Sequence, residues 1–63
     1  MTLREFLNYV MDEEIIEVKM AMYGGEFSTA GSAEEIRHLD PDVLEKNVIM
    51  IENGINLIVV TVM

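Results

Sequence analysis

The strongest constraint on the fold is the segment of residues 48–63, in which apolar residues fill nearly every position on both sides of an Asn53-Gly54 pair. Asn-Gly between two apolar runs predicts a β-hairpin with a two-residue turn, which pairs Glu52 with Ile55. Side chains alternate across a strand, so both faces of this hairpin are apolar. One face carries Val48, Met50, Leu57 and Val59, and the other carries Ile49, Ile51, Ile58, Val60 and Val62. One face can pack under helices, and the other is expected to need a partner.

The length of 63 residues predicts one small domain, residues 1–63, with a limited hydrophobic core. The chain has no cysteine, which excludes disulfides and favours a reducing compartment, so the expected location is the cytoplasm. No segment approaches the roughly 20 consecutive apolar residues of a membrane-spanning helix, and the first residues lack a signal-peptide pattern.

The charge balance is strongly acidic. Twelve Asp and Glu oppose four Lys and Arg, which gives a net charge of -8 at pH 7. Because 51% of the residues are hydrophobic, this charge belongs to the surface of a folded protein and not to a disordered tail. It opposes direct binding to nucleic acid or to an anionic membrane. A basic protein surface, such as that of a nucleic-acid-handling protein, is the expected partner.

The first half of the chain predicts one helix and two strands. Thr2 followed by Glu5 matches a capping box, and apolar residues at three- and four-residue spacing predict a helix over residues 3–11. Alternation of apolar and polar residues predicts a half-buried strand over residues 16–22. The Tyr-Gly-Gly-Glu turn that follows leads into a return strand over residues 27–30, which closes a first hairpin.

The second half predicts a further helix before the last hairpin. Ser32 with Glu35 forms a second capping box, and apolar residues at helical spacing follow it. The Asp40-Pro41 pair interrupts this pattern, but proline suits the first turn of a helix and Asp suits its cap. A further helical turn can therefore begin there.

These elements predict a two-layer α+β domain with a four-stranded, mostly antiparallel sheet and two short helices on one of its faces. The predicted order is α-β-β-α-β-β. The pattern leaves open which face of the last hairpin is buried, because a register change of one residue exchanges two equally apolar faces.

The chain lacks a recognisable catalytic constellation. His38 is the single histidine, and no serine or threonine near it in sequence belongs to a nucleophile motif. Such a residue usually lies at the surface. We therefore expect no catalytic residue, no cofactor and no enzymatic activity, with a small hydrolase or a metal-dependent enzyme as the minor alternative.

Acidic residues form two clusters that can be compared with known carboxylate sites. Neither has the glycine and alternating oxygen ligands of a calcium loop, and neither predicts a metal site. A solvated surface with helix-capping acids is the preferred interpretation over a paired-carboxylate active site. The first cluster contains Asp12, Glu13, Glu14 and Glu17, and the second contains Asp40, Asp42 and Glu45.

The opening Met-Thr-Leu-Arg-Glu-Phe-Leu, the capped Gly-Ser-Ala-Glu-Glu segment and the closing Asn-Gly hairpin resemble the short acidic orphan proteins of bacteriophages and mobile elements. The resemblance spans nearly the whole chain. Its motifs are helix caps and turns, so it assigns no functional residue. It implies a setting in which small acidic inhibitors of host nucleases, including anti-restriction and anti-CRISPR proteins, are common.

Two functional hypotheses follow. In the first, the protein is a non-enzymatic interaction module, a nucleic-acid mimic that occupies a basic nucleic-acid-binding site on a host protein. Its expected partner-binding residues are Glu13, Glu14, Glu17, Glu34, Glu35, Asp40, Asp42 and Glu45. In the alternative, the protein is a small structural homodimer whose acidic surface serves solubility only. The expected self-association residues are Leu57, Ile58, Val60 and Val62.

Overall fold

A computed structural model describes residues 1–22 and 25–63. These residues form three short helices and four strands in the order α-β-β-α-α-β-β. They are α1 (Leu3–Leu7), β1 (Ile15–Met22), β2 (Gly25–Ser32), α2 (Ala33–Ile36), α3 (Pro41–Leu44), β3 (Val48–Gly54) and β4 (Leu57–Val62).

The four strands form one sheet in the order β2-β1-β4-β3. β1 pairs with β2 and β3 pairs with β4 in antiparallel fashion, whereas the two central strands, β1 and β4, run parallel. The predicted mostly antiparallel α+β architecture is confirmed. The structure has three helices where two were predicted, because the Asp40-Pro41 pair does start a separate helical turn in which the Asp40 carboxylate accepts a hydrogen bond from the backbone N–H of Asp42 at 3.0 Å.

The core lies between the three helices and one face of the central strands. β1 contributes three of its alternating side chains and β4 contributes two, and buried residues from all three helices cover them. Two layers therefore share one hydrophobic cluster, as the small size of the chain requires. Its members are Leu3, Phe6, Leu7, Ile16, Val18, Met20, Ala33, Ile36, Leu44, Val60 and Val62.

The last hairpin turns two residues later than predicted. Its turn is Ile55-Asn56, closed by the pair of Gly54 and Leu57, and Asn56 takes a left-handed φ of 59° that asparagine tolerates. The predicted Asn53-Gly54 turn is wrong, because Gly54 belongs to the strand. There the absence of a side chain makes room for Leu57, since a Cβ on Gly54 would lie 2.8 Å from the Cδ1 atom of Leu57.

The end of α3 explains this shift. A turn at the predicted position would set Val62 opposite Glu45, which instead forms the C-terminal cap of α3. The observed turn sets Val62 opposite Val48, the first residue of β3. An irregularity between Val48 and Met50 then places Val48 on the helix-covered face, whereas Met50 lies opposite Thr61 on the outer face.

The outer face of the sheet is mixed and not uniformly apolar. Glu17 and Lys19 occupy it on β1, Ser28 on β2, and Glu52 on β3, where it lies opposite Val59. The mixture arises because β1 and β2 contribute polar residues to this face and because Glu52 lies on the same side of β3 as Met50. The outer face is therefore not the uniformly apolar surface that the hairpin pattern predicted.

Helix α1 is shorter than predicted, since it ends at Leu7 and not at Met11. Val10 still packs against the core, but Met11 is exposed. β2 is longer at both ends than the predicted residues 27–30. The predicted turn at residues 23–26 lies partly outside the described residues. Among the helices of the described residues, none has the length and apolar character needed to cross a membrane.

Both predicted capping boxes are confirmed. The backbone N–H of Thr2 donates to Glu5 at 2.8 Å and that of Ser32 donates to Glu35 at 3.0 Å, and the two hydroxyls accept from the backbone N–H of Glu5 and Glu35 at 3.2 Å. In each pair the hydrogen bond from the backbone N–H, followed by that of the hydroxyl, lowers the pKa of the glutamate.

The lowered pKa values predict a pH-dependent contribution of Glu5 and Glu35 to stability. A carboxylate whose pKa is lower in the folded state stabilises the fold above its unfolded pKa, about 4.3, and loses this effect as pH falls through the folded value. We expect the double variant Glu5→Gln and Glu35→Gln to melt below wild type at pH 7 and equally at pH 2. Thermal melts at the two pH values test this. Glu26→Gln is the control, because Glu26 belongs to neither capping box. A difference in melting temperature that persists at pH 2 would contradict the prediction.

Candidate functional site

Four of the predicted partner-binding residues meet at one end of the sheet. Ile15 pairs with Ser32, so the segment before β1 lies beside the start of α2. The backbone N–H of Ala33 donates to the Glu14 carbonyl at 2.7 Å, and that of Glu34 donates to the Asp12 carbonyl at 3.3 Å. These contacts gather a group of exposed carboxylates that we call the acidic end. It consists of Asp12, Glu13, Glu14, Glu34 and Glu35.

Arg37 is the basic residue bound to the acidic end within the described part of the chain. Its guanidinium forms an ion pair with Asp12 and donates to the carbonyl oxygens of Leu7 at 2.8 Å and Val10 at 3.1 Å. The Leu7 carbonyl belongs to the last turn of α1 and the Val10 carbonyl follows it, where helical partners are lacking. One arginine therefore fixes the end of α1 and neutralises one of the five carboxylates, which leaves the acidic end strongly negative.

The remaining carboxylates of the acidic end differ in how they are held. The Glu35 side chain is occupied by the capping box. Within the described residues, the side chains of Glu13, Glu14 and Glu34 form no hydrogen bond or ion pair, and all three are exposed. They are therefore available to cationic groups of another molecule.

The other predicted partner-binding residues lie elsewhere. Asp40 and Asp42 belong to the first turn of α3, where Asp40 is the cap. Glu45 forms an exposed ion pair with Arg4 at 2.6 Å. Glu17 is half-buried on the outer face of the sheet, beside Ala30 and Val59 in the neighbouring strands. The predicted set is thus divided between the acidic end, the two ends of α3 and the outer face of the sheet.

The predicted self-association residues are unsuitable as a surface, and this prediction needs correction. Val60 and Val62 have no exposed surface and belong to the core, and Ile58 packs against it. Leu57 is half-buried beside the turn. All four residues lie on β4, a central strand whose two edges are occupied by β1 and β3. Of the two hairpin faces that the sequence left equivalent, the face that carries Val60 is the one packed against the helices.

Exposed apolar side chains are found instead on β3, at the edge of the sheet. Ile49, Met50 and Ile51 are each about half exposed. Together with Met1 and Val48 they line a shallow depression of about 260 Å³. These residues were noted in the sequence as part of an apolar hairpin, but only the strand order shows that they lie at a free edge.

His38 is exposed, and its described hydrogen bond is made by its backbone N–H to the Glu35 carbonyl at 3.1 Å. No three histidine or acidic side chains among residues 1–22 and 25–63 converge in a way that would hold a metal ion. The two surfaces with distinctive chemistry are the acidic end and the apolar edge of β3.

Comparison with known protein families, with curated proteins and with solved structures gives no match to this chain.

Proposed function

We propose that the protein is a non-enzymatic interaction module that binds a basic protein surface through its acidic end. The observation that carries the proposal is the position of Glu13, Glu14 and Glu34, three exposed carboxylates on two chain segments joined by backbone hydrogen bonds, which no described basic side chain neutralises. A folded chain of net charge -8 with such a group presents a negative patch. A patch of this kind attracts a groove of the opposite sign and raises the rate of association with it.

The partner in this proposal is a protein whose basic site normally holds a nucleic-acid backbone. Such sites consist of Lys and Arg positioned for phosphates, and carboxylates can occupy them as alternative anions. Binding of the acidic end would then exclude the nucleic acid. The resemblance to short acidic proteins of bacteriophages and mobile elements supports an inhibitor of the anti-CRISPR or anti-restriction type.

Charge reversal within the acidic end tests this proposal. Each substitution Glu13→Lys or Glu34→Lys changes the net charge from -8 to -6. We expect either one to weaken partner binding about tenfold, the equivalent of about 1.4 kcal/mol. In the assay, proteins from a nuclease-treated bacterial lysate are captured on the immobilised chain. The amount that stays bound is then measured as heparin, a polyanion that competes for basic sites, is added.

Glu26→Lys is the matched control. It makes the same change in net charge, but Glu26 lies six residues from Ser32 along β2, or about 20 Å from the acidic end. We expect Glu26→Lys to retain the partner like the wild type. Equal retention by all three variants would refute the role of the acidic end, and retention that heparin leaves unchanged would refute the nucleic-acid-binding nature of the partner's site.

Self-association is a second candidate, and the exposed apolar side chains of β3 favour it. In this alternative the protein is a structural homodimer whose acidic surface serves solubility. A small acidic domain rarely exposes adjacent large apolar residues on a sheet edge without a partner strand, because such an edge promotes aggregation.

A further inference from the structure

The outer edge of β3 carries backbone groups that pair with no other described strand. Hydrogen-bonded and non-hydrogen-bonded pairs alternate along an antiparallel ladder. The two-residue turn is closed by the hydrogen-bonded pair of Gly54 and Leu57, so Glu52 also bonds to β4. The N–H and C=O groups of Ile51 and Asn53 therefore point away from β4, toward the free edge.

The length of this free edge is set by Met1. The Met1 carbonyl accepts a hydrogen bond from the backbone N–H of Val48 at 2.8 Å, so the start of β3 is already covered. Outside the sheet ladder, the described backbone hydrogen bonds involve neither Ile51 nor Asn53. A further strand can therefore pair with residues 49–53 only.

Apolar side chains flank the same backbone groups. Ile51 lies opposite Val60 on the helix-covered face of the sheet, yet it is half exposed because the helices do not reach the edge. Met1 and Ile49 are exposed beside it. A specific interface buries about 800 Å² on each partner, more than a five-residue strand edge supplies by itself. These side chains extend the contact area beyond the paired backbone.

We infer that the edge of β3 joins two copies of this chain in antiparallel fashion, with Ile51 of each copy opposite the partner's Ile51, so that two four-stranded sheets become one of eight strands. This arrangement specifies which strand mediates the self-association considered above and in which register the two copies pair. It does not depend on the acidic end.

The charge distribution favours a second copy in this register. Glu52 is the single charged residue of β3, so eleven of the twelve acidic residues lie outside the edge. A two-fold axis at Glu52 would place two like charges directly opposite each other, which is destabilising. An axis at Ile51 places Glu52 opposite the partner's Met50 and brings the two Ile51 side chains together at the centre.

The solution mass tests the inference. In light scattering over a concentration series, we expect the wild type to approach 14.4 kDa, twice the 7.2 kDa of one chain, and to fall toward 7.2 kDa on dilution. Ile51→Lys should halve the mass at high concentration, because it puts two charges at the axis. Ile55→Lys is the matched control, since Ile55 is 91% exposed in the turn and outside the interface. It should remain a dimer.

Ile51→Pro tests the backbone pairing separately. It removes the outward N–H without adding charge, and proline is tolerated on an edge strand where its nitrogen faces solvent. We expect a folded monomer by circular dichroism and light scattering. If this variant unfolds, the comparison of Ile51→Lys with Ile55→Lys decides the question. A wild type of 7.2 kDa at every concentration, or Ile51→Lys as dimeric as Ile55→Lys, would overturn the inference, whatever the outcome of the charge-reversal experiment.

Discussion

Val60→Lys is expected to leave the chain unfolded at 25 °C. Val60 has no exposed surface and lies in the centre of the core, opposite Val18 on β1 and Ile51 on β3. A lysine there would bury an unpaired charge, at a cost of several kcal/mol. A chain of 63 residues has a total stability of about 3–9 kcal/mol. Far-UV circular dichroism of Val60→Lys should therefore show the loss of strand and helix signals.

Val59→Lys is the control for this prediction, because it makes the same substitution one residue away. Val59 is half-buried on the outer face, between Glu17 on β1 and Glu52 on β3. A lysine at this position lies beside two carboxylates of opposite charge in the neighbouring strands, an arrangement that stabilises a sheet. We expect Val59→Lys to fold with a stability within about 1 kcal/mol of the wild type. If both variants fold, the assignment of the buried face is wrong.

Arg37→Met is expected to lower the free energy of unfolding by about 2–3 kcal/mol, since hydrogen bonds to charged groups are stronger than neutral ones. The Arg37 side chain is 31% exposed, and it donates to the carbonyls of Leu7 and Val10 while it pairs with Asp12. Methionine keeps the apolar stem and removes the three polar contacts. In a domain of this size the loss corresponds to a fall in melting temperature of roughly 10–20 °C.

Arg4→Met separates the effect of these contacts from that of a lost positive charge. Arg4 pairs with Glu45 alone, and both side chains are more than half exposed. Exposed pairs of this kind contribute at most about 1 kcal/mol. Urea unfolding of the two variants should therefore differ by more than about 1 kcal/mol, and equal losses would show that Arg37 acts through net charge and not through its contacts.

Local signals predicted much of the fold. The capping boxes at Thr2 and Ser32 depend on residues three positions apart, so they are visible in the sequence and both are present. The alternation in β1 likewise identified its buried side chains. The register of the last hairpin was missed because it depends on the end of α3, and the parallel pairing of β1 with β4 has no local signal.

The candidate site was predictable only in part. Its carboxylates were recognisable as surface residues, but their grouping depends on tertiary contacts such as that between Glu34 and Asp12. Nothing in the sequence marked Arg37 as the residue that joins α1 to the acidic end. Val60 and Val62 were wrongly predicted at an interface because the two faces of an apolar hairpin have equal patterns, and only packing under the helices distinguishes them.

The parallel central pair also determines how this chain can fold. Val18 and Val60 are 42 residues apart in sequence, so the pairing that completes the core has a high contact order, which slows folding. Each hairpin can form early, but the inner side of β1 stays exposed until β4 has been made. Because synthesis proceeds from the N-terminus, folding on the ribosome must wait for β4, and until then the apolar side of β1 is open to aggregation.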